Sequence, residues 1–143
     1  MSNVPFDTDL LAVYTSTRIV LEGPPPVVLA GADAIDAWPF AGHVTVLTAA
    51  NPRSKRLSDD DNDLRNVALL GVLRDRGHHV TSVTASIDDW TEASFGVFEL
   101  SRREARELSQ MFNQHAWYEL TAHEVFVISA DTGEELDRRA RRH

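Results

Sequence analysis

The sequence predicts an α+β domain: a ferredoxin-like split β-α-β core with extra N-terminal and C-terminal strands, forming a mainly antiparallel sheet with two helices on one face. Three observations predict it. Two segments carry helix punctuation at their starts and apolar periodicity inside. The stretches around them are short and rich in Val, Ile, Thr, Tyr and Phe, residues that suit a pleated surface. The order from His43 to Leu120 is then β-α-β-β-α-β, the order of a split unit, and right-handed crossovers place both helices on the same face.

Each element has a local reason. Ala12 to Leu21 is β-rich and is expected to be extended. Pro24-Pro25-Pro26 after Gly23 forms a stiff break, and Val27 to Ala30 a short second strand. Gly31 to Gly42 has room for a short helix ahead of Pro39. His43 to Ala49 has the composition of a buried central strand. The first core helix opens at Ser58, with Asp59, Asp60 and Asp61 in the first turn, where carboxylates favour the positive end of the macrodipole. Its apolar residues, Leu64, Val67, Ala68, Leu69, Leu70, Val72 and Leu73, cover nearly the whole circumference, which predicts a largely buried helix. Gly77 is its natural left-handed stop.

His79 to Ile87 and Ser94 to Leu100 read as an antiparallel pair around a loop at Asp88 to Thr91. The second helix starts with Ser101-Arg-Arg-Glu104, the capping-box spacing, and Ala105, Leu108 and Phe112 make its apolar stripe. Ala116 to Leu120 and Glu124 to Ser129 complete the sheet. The expected division is a flexible N-terminus over 1–11, one α+β domain over 12–130 and a C-terminal tail over 131–143.

Composition narrows the function. The 143 residues are 43% hydrophobic and 25% charged, near the globular average. Cysteine is absent, which excludes a disulfide scaffold, a thiolate nucleophile and sulfur-based zinc sites. The start has no basic region followed by an apolar run, so a cytoplasmic protein is expected. No apolar stretch reaches the roughly 20 residues of a membrane span. The net charge of −8 opposes nucleic-acid binding, whose affinity comes largely from phosphate neutralisation. Arg138-Arg139-Ala-Arg141-Arg142-His143 is the basic exception, read as a solvated end, with contact to a phosphate backbone or an acidic partner as the alternative.

No metal and no cofactor is expected. Asp59, Asp61 and Asp63 imitate the start of a calcium loop, but Leu64 stands where the turn glycine belongs and Leu70 where the bidentate glutamate belongs. None of the six histidines forms a His-x-His or His-Glu-x-x-His pair. No Gly-rich phosphate motif is present.

Candidate polar residues cluster at segment ends. The strand ending at Ala49 runs into Asn51-Pro52-Arg53-Ser54, and loops leaving a central strand are favoured places for ligand contacts. Asn51 brings donors and an acceptor, Arg53 a planar charge and Ser54 a hydroxyl. The competing account is that Asn51 and Ser54 satisfy turn backbone. Glu92, beside Trp90, is a candidate desolvated carboxyl and the weak candidate for a general acid or base; the plain alternative is a solvated loop glutamate. Gln114 points its amide into the sheet end or caps the second helix.

Taken together, Tyr14-Thr-Ser-Thr17, Thr48-Ala-Ala-Asn51-Pro52 with Ser54, Asn62, Glu92-Ala-Ser94-Phe95 and Phe112-Asn-Gln114-His-Ala116 resemble a bacterial domain-of-unknown-function family, family three-two-nine-three. The resemblance covers about Tyr14 to Val127 and implies no assigned activity. It implies that Asn51, Asn62, Glu92 and Gln114 belong to the polar signature. One departure is Asn113, where the family pattern usually has Gly.

The expectation is a pocket for a small polar ligand, lined by Asn51, Arg53, Ser54, Asn62, Glu92 and Gln114. The alternative is a non-catalytic interaction or regulatory module that meets a protein partner through a sheet edge. Convergence of the four signature residues on one cleft separates them.

Overall fold

The computed structural model describes residues 8–142. Residues 1–7 of the expected N-terminal segment, and His143 of the expected tail, lie outside the described residues. In chain order the elements are α1 (Thr8–Thr15), β1 (Arg18–Leu21), β2 (Val27–Ala30), β3 (Val44–Leu47), α2 (Asp59–Asp75), β4 (Val80–Ile87), β5 (Trp90–Phe98), α3 (Arg102–Met111), β6 (Ala116–Leu120), β7 (Glu124–Ser129) and β8 (Glu135–Ala140). A single 3-10 turn, Pro52–Ser54, follows β3.

The eight strands form one sheet in the order β2-β1-β4-β5-β3-β6-β7-β8. Every ladder between neighbouring strands is antiparallel. Alternation divides the side chains between two faces. On one face Leu69 and Leu73 of α2 and Ala105 and Leu108 of α3 pack over Leu47, Val97, Trp117 and Ile128. On the other, Leu11 and Tyr14 of α1, with Trp38 and Phe40, cover Val44, Val46, Tyr118 and Val127.

The punctuation of α2 reads as expected, and the capping box of α3 forms in its serine half only. Ser58 Oγ accepts from Asp61 N–H at 3.1 Å, and Gly77 ends the helix at φ +80° with His78 N–H returning to Leu73 O at 3.1 Å. Ser101 Oγ accepts from Glu104 N–H at 3.2 Å, whereas the Glu104 carboxylate turns to Arg76 and His78. That second contact holds the carboxyl below its usual range, with His78 as the largest cause.

Four expectations are corrected. The segment from Ala12 does not run extended to Leu21: α1 occupies Thr8–Thr15 before β1 begins. Its β-formers are overruled by the apolar contacts of Leu11 and Tyr14 with the sheet. No helix forms between Gly31 and Gly42; Trp38 instead donates to Gly42 O at 2.9 Å and stacks edge-on with Phe40, centroids 5.1 Å apart. The helix α2 is buried on one side only, with Leu64 69% and Val67 66% exposed.

The fourth concerns the segment read as a tail after residue 130. It contains β8, paired with β7, and Arg141 is buried with 4% of its surface exposed. Arg141 Nη1 donates to Leu29 O at 3.0 Å and Ile35 O at 2.8 Å, Nη2 to Asp36 O at 3.0 Å, and Nε to Ala122 O at 3.0 Å. Gly31 N–H donates to Arg141 O at 2.9 Å, so the curled sheet brings the β2 end against the β8 end. Arg141 serves there as a donor to backbone, which a guanidinium with five N–H groups can do for several carbonyls at once.

Candidate functional site

The site forms where β3 runs out. Leu47 is the last strand residue, and the backbone beyond it is held by side chains from α2 and from the segment after α3. From α2, Asn66 Oδ1 accepts Ala49 N–H at 2.9 Å, while its Nδ2 donates to Ala93 O at 3.0 Å. Arg65 Nε donates to Ala49 O at 2.5 Å and its Nη2 to Phe112 O at 2.6 Å. After α3, Gln114 Nε2 donates to Ala50 O at 3.1 Å and Phe112 O at 3.2 Å. These bonds satisfy backbone groups of the exit, which lets an irregular segment lie inside the protein.

Asn51 is the centre of the arrangement. It adopts φ 47° and ψ 62°, in the left-handed region that Asn tolerates better than most residues. Its Oδ1 accepts from Leu57 N–H at 3.0 Å and Asn62 Nδ2 at 2.9 Å, and its Nδ2 donates to Glu92 Oε2 at 2.9 Å. Asn62 Oδ1 in turn accepts Asn51 N–H at 2.8 Å. Asn51 thus does two things: it satisfies turn backbone, and it carries one amide hydrogen to a carboxylate on another strand.

Glu92 belongs to β5, because the loop expected at 88–91 is only the Asp88-Asp89 turn, with Ile87 opposite Trp90. Its side chain lines the hollow on the α1 side of the sheet. Burial pushes its pKa up, opposed by hydrogen bonds from Asn51 and Trp90. In the same hollow Tyr14 and Tyr118 stack at 5.6 Å, tilted by 45°. Burial raises both phenols, and the negative charge of Glu92 adds to the shift in each. Ser54 beside Tyr14 and Thr17 beside Tyr118 oppose these shifts.

Between α1 and the sheet end these groups enclose a cavity of about 210 Å³. Its walls are Tyr14, Thr17, Val46, Ala85, Trp90 and Tyr118, with Thr48, Asn51, Ser54, Glu92 and Gln114 supplying polar atoms. Gln114 is 6% exposed, and its two hydrogen bonds to backbone carbonyls both leave from the nitrogen, so the amide oxygen is not spent on them. The Arg56 guanidinium lies 4.4 Å from the centroid of Trp90.

Of the six residues expected at the site, Asn51, Ser54, Glu92 and Gln114 line the cavity. Asn62 stands behind Asn51 and fixes it. Arg53 turns away: its guanidinium holds Asp131 through two bonds of 3.0 and 3.2 Å and contacts His115 Nδ1 at 3.2 Å. The Arg53 contact holds the Asp131 carboxyl below the usual range, and burial lowers His115. Sequence reasoning missed Thr17, Arg65, Asn66 and Tyr118 as parts of the site, and treated Tyr14 as a strand residue. The one available signal was Tyr14-Thr-Ser-Thr17, legible as a motif but not as a wall of the cavity. Among the described residues no group of three or more His, Asp or Glu side chains is placed to hold a metal ion, and no helix is long and apolar enough to cross a membrane.

The fold and site define a mixed helix-and-strand protein, with a curled antiparallel sheet and a partly polar cavity at one sheet end. The family model described as "Protein of unknown function (DUF3293)" matches residues 47–117, and the chain belongs to that family. The match contains Asn51, Ser54, Asn62, Glu92 and Gln114. No curated protein and no solved structure matches it.

Proposed function

We propose that the cavity between α1 and the sheet end binds a small polar ligand that donates N–H or O–H groups. The observation that carries this reading is that Glu92 and Gln114 both line one mostly apolar hollow, the Glu92 carboxyl as an acceptor and the Gln114 side chain with its oxygen not used by its two bonds to backbone. The Asn51 hydrogen bond fixes the Glu92 carboxyl, so it meets a ligand with little reorganisation. Tyr14, Tyr118 and Trp90 give flat walls for a ring system. An anionic ligand is disfavoured, because Arg53 is neutralised by Asp131 and the carboxyl on the cavity wall is Glu92. Glu92 is the acceptor for the ligand and the residue placed to take a proton from it.

Two finer readings accompany this one. The segment from β3 to β6 is read as a ferredoxin-like split unit, supported by its internal strand order β4-β5-β3-β6. A cytoplasmic setting suits a chain without cysteine. An interaction module acting through a sheet edge has less support, because Gly31 and Arg141 tie the two edges together.

The test is a thermal-shift screen of nucleobases, amino acids and sugars on the wild type, Glu92→Gln and Ala85→Leu. Ala85 is 6% exposed on the cavity wall, so the larger side chain fills the hollow. A ligand should raise the wild-type midpoint through binding linkage, raise Glu92→Gln less, and leave Ala85→Leu unchanged. Equal shifts in all three proteins, or none from any compound class, would remove the cavity as a binding site.

A further inference from the structure

We propose that α2 is a self-association surface, packing antiparallel on α2 of a second copy of this chain. Asp60, Leu64, Val67, Gly71 and Arg74 recur at alternating spacings of four and three residues, the period of a seam between two helices. The opposite side of α2 already has its core partners through Leu69 and Leu73. Leu64 and Val67, 69% and 66% exposed, therefore form a second apolar stripe on the outer side, the kind of surface that marks an interaction site. Gly71 is a notch in that stripe: a Cβ built there meets nothing within 4 Å, which leaves room for an incoming leucine. Beside the seam runs a groove of about 460 Å³ with Val67 and Leu70 in its wall.

Charge selects both the occupant and its direction. Asp60 stands at the N-terminal end of the seam and Arg74 at the C-terminal end, both exposed. Helix α2 spans Asp59–Asp75, so Val67 is its midpoint. A two-fold axis at Val67 places Asp60 of each copy near Arg74 of the other and opposes the two macrodipoles. A parallel pair would stack Asp59, Asp60 and Asp61 on their own copies. The seam thus carries its own complement, and a second copy is the partner it fits. One helix per copy covers less than the roughly 800 Å² a side of a standard interface, so the dimer is weak and follows concentration.

Absence of cysteine makes the test clean, since one introduced thiol reports one position. Sedimentation of the wild type, over about two decades of concentration from about 10 μM, should show mass rising towards the dimer. Leu64→Glu should raise the dissociation constant at least about tenfold, with an unchanged circular dichroism spectrum. Under mild oxidation Val67→Cys should couple to itself, since a disulfide needs Cα atoms within about 7 Å. Asp60→Cys should not self-couple, but should couple to Arg74→Cys when the two proteins are mixed. A wild type that stays monomeric throughout, a dimer indifferent to Leu64→Glu, or self-coupling of Asp60→Cys as fast as Val67→Cys would each overturn the proposal.

Discussion

Asn51 Nδ2 donates to Glu92 Oε2 at 2.9 Å, across 41 positions of chain. The oxygen of the same carboxamide binds Leu57 N–H and Asn62 Nδ2, so one side chain joins the β3 exit, the start of α2 and strand β5. A smaller residue loses all three bonds and must still adopt φ 47°. Asn51→Ala is expected to destabilise by about 3 kcal/mol, combining left-handed backbone strain with lost hydrogen bonds. Chemical denaturation of both proteins checks it, and a loss under about 1 kcal/mol would show that the network is not a unit.

The raised pKa of Glu92 has a signed consequence for stability. Burial favours the neutral carboxyl in the folded protein. The native state therefore holds the proton to higher pH than the unfolded chain, and stability falls as pH rises from the ordinary 4.5 through the raised value. Glu92→Gln keeps an acceptor for Asn51 and removes the titration. Its midpoint relative to wild type should climb across that window and level off above it. A difference constant with pH would contradict the assignment.

Arg53 and Asp131 are half-exposed, at 47% and 39% of their side chains. Arg53→Gln should therefore cost at most about 1 kcal/mol, and it should leave any ligand-induced thermal shift at the wild-type size. A ligand shift abolished by this change would return Arg53 to the binding surface.

Asn113 follows α3 at φ 57°, with Gln114 N–H returning to Ser109 O at 2.8 Å. This is a left-handed helix stop, the position where glycine has no Cβ penalty and asparagine is the next choice. Asn113 meets that backbone demand here. Asn113→Gly should be neutral to stabilising by up to about 1 kcal/mol, and Asn113→Ala should destabilise by about 1 kcal/mol. Equal midpoints for both variants would mean that the stop relaxes.

Arg141 gives its guanidinium to the carbonyls of Leu29, Ile35, Asp36 and Ala122. Arg141→Met preserves much of the volume and leaves those acceptors without their donor. The expected loss is about 3 kcal/mol or more, with hydrogen exchange of the β2 amides accelerated before those of β5. Uniform acceleration across the sheet would show that the contact is not local.

What was legible in the sequence followed from how local its causes are. Ser58, the aspartates after it and Gly77 act within one turn, so the bounds of α2 could be read directly. The short α1 could not: its Val, Tyr and Thr favour strand, and only contacts of Leu11 and Tyr14 with the distant sheet make it helical. The same holds for β8, where the pattern Glu-Leu-Asp-Arg-Arg-Ala has no β preference and its partner β7 decides. At the site, the positions of Asn51 and Gln114 at segment ends were legible as chemistry. That Arg53 would be claimed by Asp131, 78 positions away, was not, since no local pattern encodes that pairing.

The meeting of β2 with the far end of the chain also governs what happens when the protein is damaged. Val27, Val28, Leu29 and Ala30 make a short, uncharged ribbon, the kind that recruits other chains when left bare. One guanidinium, reaching back across 112 residues to Leu29, helps to hide it. A lesion at that distant arginine would therefore surface as clumping seeded by the other end of the molecule, well before the cavity itself was lost.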